Sequence, residues 1–325
     1  MRATRCRSSS RSDPVPPTRA ELRELIGAAA DRALTHPYKL WGYGEGPALR
    51  GVLRAAGTLR RPALVDAVAD LVAPTLTAPA DEEVDHLIPV EVLARLRRLC
   101  PVIDVAGAVD RFVRAVAGAS RPVPGRPPVH RPHHPTLGRL IWVDCLHTDG
   151  PGLALAGRRA DAVRVTTEAA QVLQDETGLF SHGYRVDTGT PNGVHWARGQ
   201  GWALYGLGGM PEHAERVARL LTALTEHEVD GRWHTVVDDP ASPVEASLSP
   251  MVAASAATLG ARWRGLADRA LAATLADVRP DGTLPVSAAT PVGEAPSYAL
   301  PHTGAYPWGQ GPLLDALHVA WEATE

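Results

Sequence analysis

Leu140-Ile-Trp-Val-Asp144-Cys-Leu-His147-Thr-Asp149-Gly-Pro-Gly-Leu-Ala is an apolar run that ends in a carboxylate beside a tryptophan and passes straight into a helix-like segment. The helical pattern predicted over 144–157 is followed, after a break at 157–159, by a second one over 159–174. A long connection, a helix, a short connection and a return helix make a hairpin, and this unit recurs along the chain.

From Thr18 onward the apolar residues mostly recur at helical spacing in a background rich in Ala, Leu, Val and Arg, while alternating strand patterns are scarce. Helices are expected at 18–33, 47–58, 62–76, 86–99, 103–118, 144–157, 159–174, 200–209, 211–226, 247–259, 262–276 and 308–323. Short connections at 58–62, 99–103, 157–159, 209–211 and 259–262 join them into pairs, and long connections separate the pairs. A periodic array of helix pairs either curves into an open solenoid or closes into a ring. Neither end has the polar outer face of a capping helix, so closure is expected. The result is an all-α (α/α)6 barrel in one domain, residues 18–325, with inner helices beginning near 47, 86, 144, 200, 247 and 308.

With 325 residues, 45% of them hydrophobic, and a net charge of -3, the chain reads as a soluble globular protein with nothing that suits nucleic acid. No apolar run reaches the length of a membrane span. The Arg/Ser/Pro-rich start, 1–17, lacks the apolar stretch of a signal peptide and reads as a disordered, solvated leader. Cys6, Cys100 and Cys145 have neither metal-ligand spacing nor the even count of a disulfide framework, which points to a reducing compartment, the cytoplasm. A monomer or weak homo-oligomer is expected.

In a ring of this kind the long connections all enter the inner helices from one face, and their residues therefore share one pocket. They include Tyr38-Lys-Leu-Trp41-Gly-Tyr43-Gly-Glu45-Gly, Asp81-Glu-Glu-Val-Asp85-His86, the stretch ending in Asp144, His182-Gly-Tyr184 with His195-Trp196-Ala-Arg198-Gly-Gln200-Gly-Trp202, Glu245-Ala-Ser247-Leu-Ser249, and His302 to Gln310. Five of the eight tryptophans lie there; indole faces suit sugar rings, and helix N-termini favour an anion. Trp41 and Trp308 read equally as barrel core.

Asp144 and Asp85 each sit where a long connection meets an inner helix, and paired carboxylates can divide acid and base work. Trp142 and Trp202 would dry the surroundings of Asp144, a setting for a general acid. Helix capping is the competing account of Asp144, and a solvated acidic helix start that of Asp85. Arg198, between the indoles of Trp196 and Trp202 in sequence, is the candidate anion receptor, with an internal salt bridge as the alternative. His182 could hydrogen-bond a substrate hydroxyl or titrate. His130, His133 and His134 cluster without zinc-like spacing, so no metal is assigned.

In order along the chain, Trp41-Gly-Tyr-Gly-Glu-Gly-Pro-Ala-Leu, Asp85-His86-Leu-Ile-Pro, Ile141-Trp-Val-Asp144, His182-Gly-Tyr, Trp196-Ala-Arg198-Gly-Gln-Gly-Trp202, Glu245-Ala-Ser-Leu-Ser and Trp308-Gly-Gln-Gly-Pro-Leu-Leu resemble the motifs of the unsaturated uronyl hydrolases. These make up glycoside hydrolase families 88 and 105, and the likeness is closer to the second, the unsaturated rhamnogalacturonyl hydrolases. It runs from about residue 20 to the end. Cys145, His147 and Gln200 depart from the usual glycine, aromatic and asparagine, which bears on specificity or activity.

The resemblance implies an enzyme that hydrates the C4–C5 double bond of a terminal unsaturated uronic acid on an oligosaccharide, with no metal or organic cofactor. Asp144 would be the acid and base, Asp85 would orient sugar or water, and Arg198, His182, His86, Trp41, Trp142, Trp196 and Trp202 would bind the substrate. Two other readings stay open on the residues alone. One is a sugar epimerase or isomerase using His86 and His182 as opposed acid and base, and the other a non-catalytic helical-repeat scaffold.

Overall fold

A computed structural model describes residues 17–38, 44–77, 86–119, 121, 123–299 and 302–324. Nearly all of the expected leader, together with Trp41 and Asp85, lies outside the described residues. Among the described residues twelve α-helices follow one another: α1 (Arg19–Leu34), α2 (Glu45–Leu59), α3 (Ala63–Leu76), α4 (Val90–Leu99), α5 (Ala106–Gly118) and α6 (Asp144–Leu155) in the first half. The second half holds α7 (Arg159–Leu173), α8 (Ala197–Leu207), α9 (Ala214–Glu226), α10 (Leu248–Thr258), α11 (Arg264–Asp277) and α12 (Pro307–Glu322).

The even-numbered helices form the inner ring. α2 packs on α4, α4 on α6, α6 on α8, α8 on α10, α10 on α12, and α12 back on α2. The array therefore closes as the spacing of its connections predicts. α1 packs on both α12 and α2, so the two ends of the described chain complete one of the pairs. The division into layers follows from sequence. Outer α9 buries Val217, Leu220, Leu221 and Leu224, a single stripe at helical spacing, whereas inner α8 is buried along nearly its whole length. Small residues bring the inner helices close: a Cβ on Gly206 of α8 would stand 2.4 Å from the Leu146 carbonyl of α6. One on Gly311 of α12 would stand 2.5 Å from the Ala48 nitrogen of α2. Among the described residues no helix is long and apolar enough to cross a membrane.

The long connections are more ordered than the sequence suggests. β1 (Leu140–Trp142), β2 (Gly183–Arg185) and β3 (Thr190–Pro191) form an antiparallel sheet. β4 (Trp233–His234) pairs with β5 (Val244–Glu245), and β6 (Val286–Ser287) with β7 (Thr303–Gly304). Strands of two or three residues are too short to show alternation, which is why they escape a periodicity reading. α4 also begins later than expected, at Val90, because Pro89 takes an extended conformation at its N-cap. His86 is thereby left ahead of the helix.

Candidate active site

The open ends of α2, α6, α8 and α12 surround a cavity of about 370 Å³ whose lining includes Glu45, Trp142, Asp144, His182, Arg198 and Trp308. β1 delivers the chain into α6, and its register sets Trp142 opposite Gly183. The next residue, Val143, donates its N–H to the His182 carbonyl at 2.9 Å. This ladder fixes Asp144 and His182 side by side, with 3.6 Å between the Asp144 carboxylate and His182 Nε2. Asp144 is the first residue of α6; the N-cap is Val143, which makes no side-chain cap bond, so helix capping does not account for the aspartate. It is 6% exposed, a carboxylate in a largely apolar cavity.

The state of His182 follows from its partners. The Tyr298 hydroxyl oxygen accepts from the Gly293 N–H and from Asn192 Nδ2, both at 3.3 Å. Its own proton is then directed to His182 Nδ1 at 2.6 Å. With Nδ1 accepting, the ring proton of the neutral imidazole sits on Nε2, aimed toward Asp144. Burial pushes the Tyr298 hydroxyl up to about 12, so it stays a donor throughout the neutral range. Trp196 covers the other face of the imidazole, with ring centroids 4.3 Å apart.

Arg198 lies in the cavity wall but is not the open fork that its motif suggests. Its Nη1 donates to the Ser287 carbonyl at 3.1 Å and to Ser287 Oγ at 3.3 Å, and its Nη2 to the Ala288 carbonyl at 2.8 Å. Trp196 and Trp308 cover the guanidinium at 4.6 and 5.6 Å from their centroids, and Glu245 stands 3.6 Å away. Glu245 is itself held by the N–H and hydroxyl groups of Ser247 and Ser287. Nη1 and Nη2 thus each give a proton to the surrounding backbone, and a bidentate grip on a carboxylate would fall to the edge formed by Nε and Nη2, with the charge kept in the wall.

The other sequence candidates divide. Trp142, Trp196 and Trp202 line the cavity, and Trp202 stacks on His147 with centroids 5.0 Å apart. His86 does not line it; its Nε2 accepts from Arg131 at 3.0 Å, and it is Arg131 that reaches the cavity. The opposed pair of histidines that an epimerase would need is thus not assembled. His130 is buried against Asp149 at 2.9 Å and Cys145 Sγ at 3.5 Å, a clamp behind Trp142. Among the described residues no group of three His, Cys, Asp or Glu is placed to hold a metal ion. Gln200 clamps the Phe180 backbone from both sides at 2.8 Å, and Gln310 does the same for Leu284 and Gly282. Its departure from asparagine is accounted for by structure rather than by substrate. Sequence reasoning assigned no role to Tyr298, Glu45 or Arg131. Glu45 had a signal, as the one carboxylate in its glycine-rich entry; Tyr298, in an aperiodic segment, had none.

A closed ring of helix pairs with an aromatic, carboxylate-bearing cavity at the inner N-termini defines a six-hairpin glycoside hydrolase. The chain belongs to glycosyl hydrolase family 88, whose sequence profile matches residues 28–320. It is similar to the unsaturated rhamnogalacturonyl hydrolase YesR of Bacillus subtilis (strain 168), 29% identical over 181 residues that cover 46% of this chain and 50% of that protein. The match thus spans half the length of that curated relative. A possible member of family GH105 from Klebsiella pneumoniae subsp. pneumoniae MGH 78578 superposes with a TM-score of 0.81 at 20% identity, covering 100% of both chains. The unsaturated glucuronyl hydrolase of Bacillus sp. GL1 superposes with a TM-score of 0.70 at 15% identity, covering 91% of this chain and 96% of that one. At such identities these likenesses carry the fold.

Proposed function

We propose that this protein releases a terminal unsaturated (4,5-ene) uronic acid from an oligosaccharide by hydrating its double bond. The observation that carries the reading is Asp144: a buried carboxylate in the cavity, engaged in no cap and faced by Nε2 of a His182 held in place by Tyr298. Asp144 gives a proton to C4 and takes one from the water that adds at C5; the hemiketal so formed opens and frees the next sugar. This differs from attack at the anomeric carbon by two carboxylates. Proton transfer of this kind needs an acid–base group, a placed water and a site for the uronate, and it requires no metal or organic cofactor.

His182 orients Asp144 and meets the sugar. Trp142, Trp196 and Trp202 offer flat faces to it, Arg198 supplies positive charge from behind Trp196, and Asp85 orients sugar or water. Trp41 is assigned to substrate binding with them. On this reading residues 18–325 are one catalytic domain acting in the cytoplasm as a monomer or weak homo-oligomer, with neither nucleic acid nor membrane as partner. The test is a panel of unsaturated disaccharides followed by loss of the ultraviolet absorbance of the double bond. Turnover of at least one supports the reading; no loss of absorbance with any of them sinks it.

A further inference from the structure

The cavity contains a second carboxyl that the reaction above leaves unused. Glu45 opens α2, and its side chain lines the same cavity as Asp144, His182 and Arg198. We propose that Glu45 is a substrate-binding residue that receives the uronate carboxylate as a neutral carboxylic acid, so that each substrate is taken up together with a proton. This rests on the uronate reading of the site.

Two cations, Arg131 and Arg198, and the carboxyl of Asp144 line the cavity around Glu45. A uronate brings one negative charge into a cavity that holds Asp144, and the Arg198 charge is opposed by Glu245 at 3.6 Å while its Nη1 and Nη2 serve backbone carbonyls. An ionised Glu45 would add a further anion in a poorly solvated space, and like charges there repel strongly. A neutral carboxyl instead presents an O–H donor, and an O–H bound to a carboxylate is a short, charge-assisted hydrogen bond.

The surroundings of Glu45 favour that form. Tyr38, from the segment after α1, lies close enough for the Glu45 charge to act on its hydroxyl, and across the cavity stand Arg131, Asp144, His182 and Arg198. α12 meets this end of α2 with Trp308, against Gly44, and α4 meets it with Pro89, against Gly46. Of the charged groups on those two helices, Asp315 and Glu91 are paired with Arg50, more than a turn further along α2, Glu322 is paired with Arg54, and Arg95, Arg97 and Arg98 lie beyond Glu91 along α4. Burial is the largest influence and pushes the Glu45 carboxyl up to about 7, partly offset by the N–H groups of Glu45 and Gly44.

The experiment measures KM and kcat separately as pH is raised, for the wild type and for Glu45→Gln, on an unsaturated disaccharide that the wild type turns over. If only the protonated form binds, the wild-type KM rises about thirtyfold from pH 6 to pH 8.5, from the ratio of total to protonated carboxyl around the value above. Glu45→Gln offers an amide donor at every pH, so its KM stays level and falls below that of the wild type at the alkaline end. Glu45→Ala has no donor and binds weakly at the acid end as well. A level wild-type KM, or a KM of Glu45→Gln that climbs in parallel with it, overturns the proposal while leaving the uronate reading intact. Failure of the wild type to turn over any unsaturated disaccharide overturns that reading, and this role with it.

Discussion

Replacing Asp144 by Asn separates chemistry from architecture more cleanly than any other change in the cavity. The aspartate caps nothing, and its carboxylate stands 3.6 Å from His182 Nε2, beyond a normal hydrogen bond, so the fold loses little with its charge. A neutral amide of the same size is also easier to bury than a carboxylate at 6% exposure. Stability should therefore stay within about 0.5 kcal/mol of the wild type, or rise. Catalysis should not survive, because Asn cannot exchange the proton that C4 and water require. Acid–base groups supply roughly a hundredfold to ten-thousandfold, and kcat should fall by that factor, a barrier higher by about 3–5 kcal/mol. The assay is loss of double-bond absorbance at saturating substrate, with thermal melting of the same preparation. A folded Asp144→Asn enzyme with near-normal kcat would remove Asp144 from the mechanism and leave Asp85 as the better candidate.

Tyr298→Phe removes the hydroxyl that places the His182 proton on Nε2; kcat should fall about tenfold while stability drops by about 1–3 kcal/mol, and an unchanged kcat would refute the tautomer argument. Arg198→Leu strips the Ser287 and Ala288 carbonyls of their donor and leaves Glu245 buried without its cation, so besides raising KM it should cost about 3–5 kcal/mol in denaturant unfolding; an unchanged midpoint would show the guanidinium to be dispensable for the fold. His318, buried with its Nε2 unpartnered, is held down to about 4 by desolvation. A histidine depressed in the folded state contributes stability that is present above its unfolded value and lost as pH falls toward the folded one. The wild type should thus lose about 3 kcal/mol from this group between pH 6.5 and pH 4, and His318→Phe should make that acid limb correspondingly shallower in melts taken across the range.

The helices and their pairing were legible because apolar spacing and Gly/Pro punctuation act locally, and ring closure followed from the absence of a polar cap. Asp144 and His182 were legible because each sits at a junction between a connection and an element. The internal contacts of Arg198 were not legible for a different reason: Ser287 and Ala288, which accept from Nη1 and Nη2, lie 89 and 90 residues away in sequence. Tyr298 reaches His182 across 116 residues, and no local pattern in a loop announces such a contact. Gln200 looked like a change of specificity because a clamp on Phe180 cannot be told from a substrate contact by residue type alone. Its counterpart Gln310, clamping Leu284, shows that the role belongs to the connections rather than to the reaction.

Closure of the ring makes the site as well as the fold. Glu45 belongs to the first inner helix and Trp308 to the last, and they line one cavity only because α12 returns to pack on α2. At that seam a Cβ on Gly44 would stand 2.7 Å from the Trp308 ring. The same indole donates its Nε1–H to the Ser287 carbonyl at 2.8 Å, which also accepts from Arg198. Positive charge, aromatic wall and second carboxyl therefore meet where the chain joins up. Asp144 and His182 are held independently, by the β1–β2 ladder and the Val143 hydrogen bond. An open superhelix of the same sequence would keep Asp144 beside His182 yet lose the cavity walls that the proposed substrate requires.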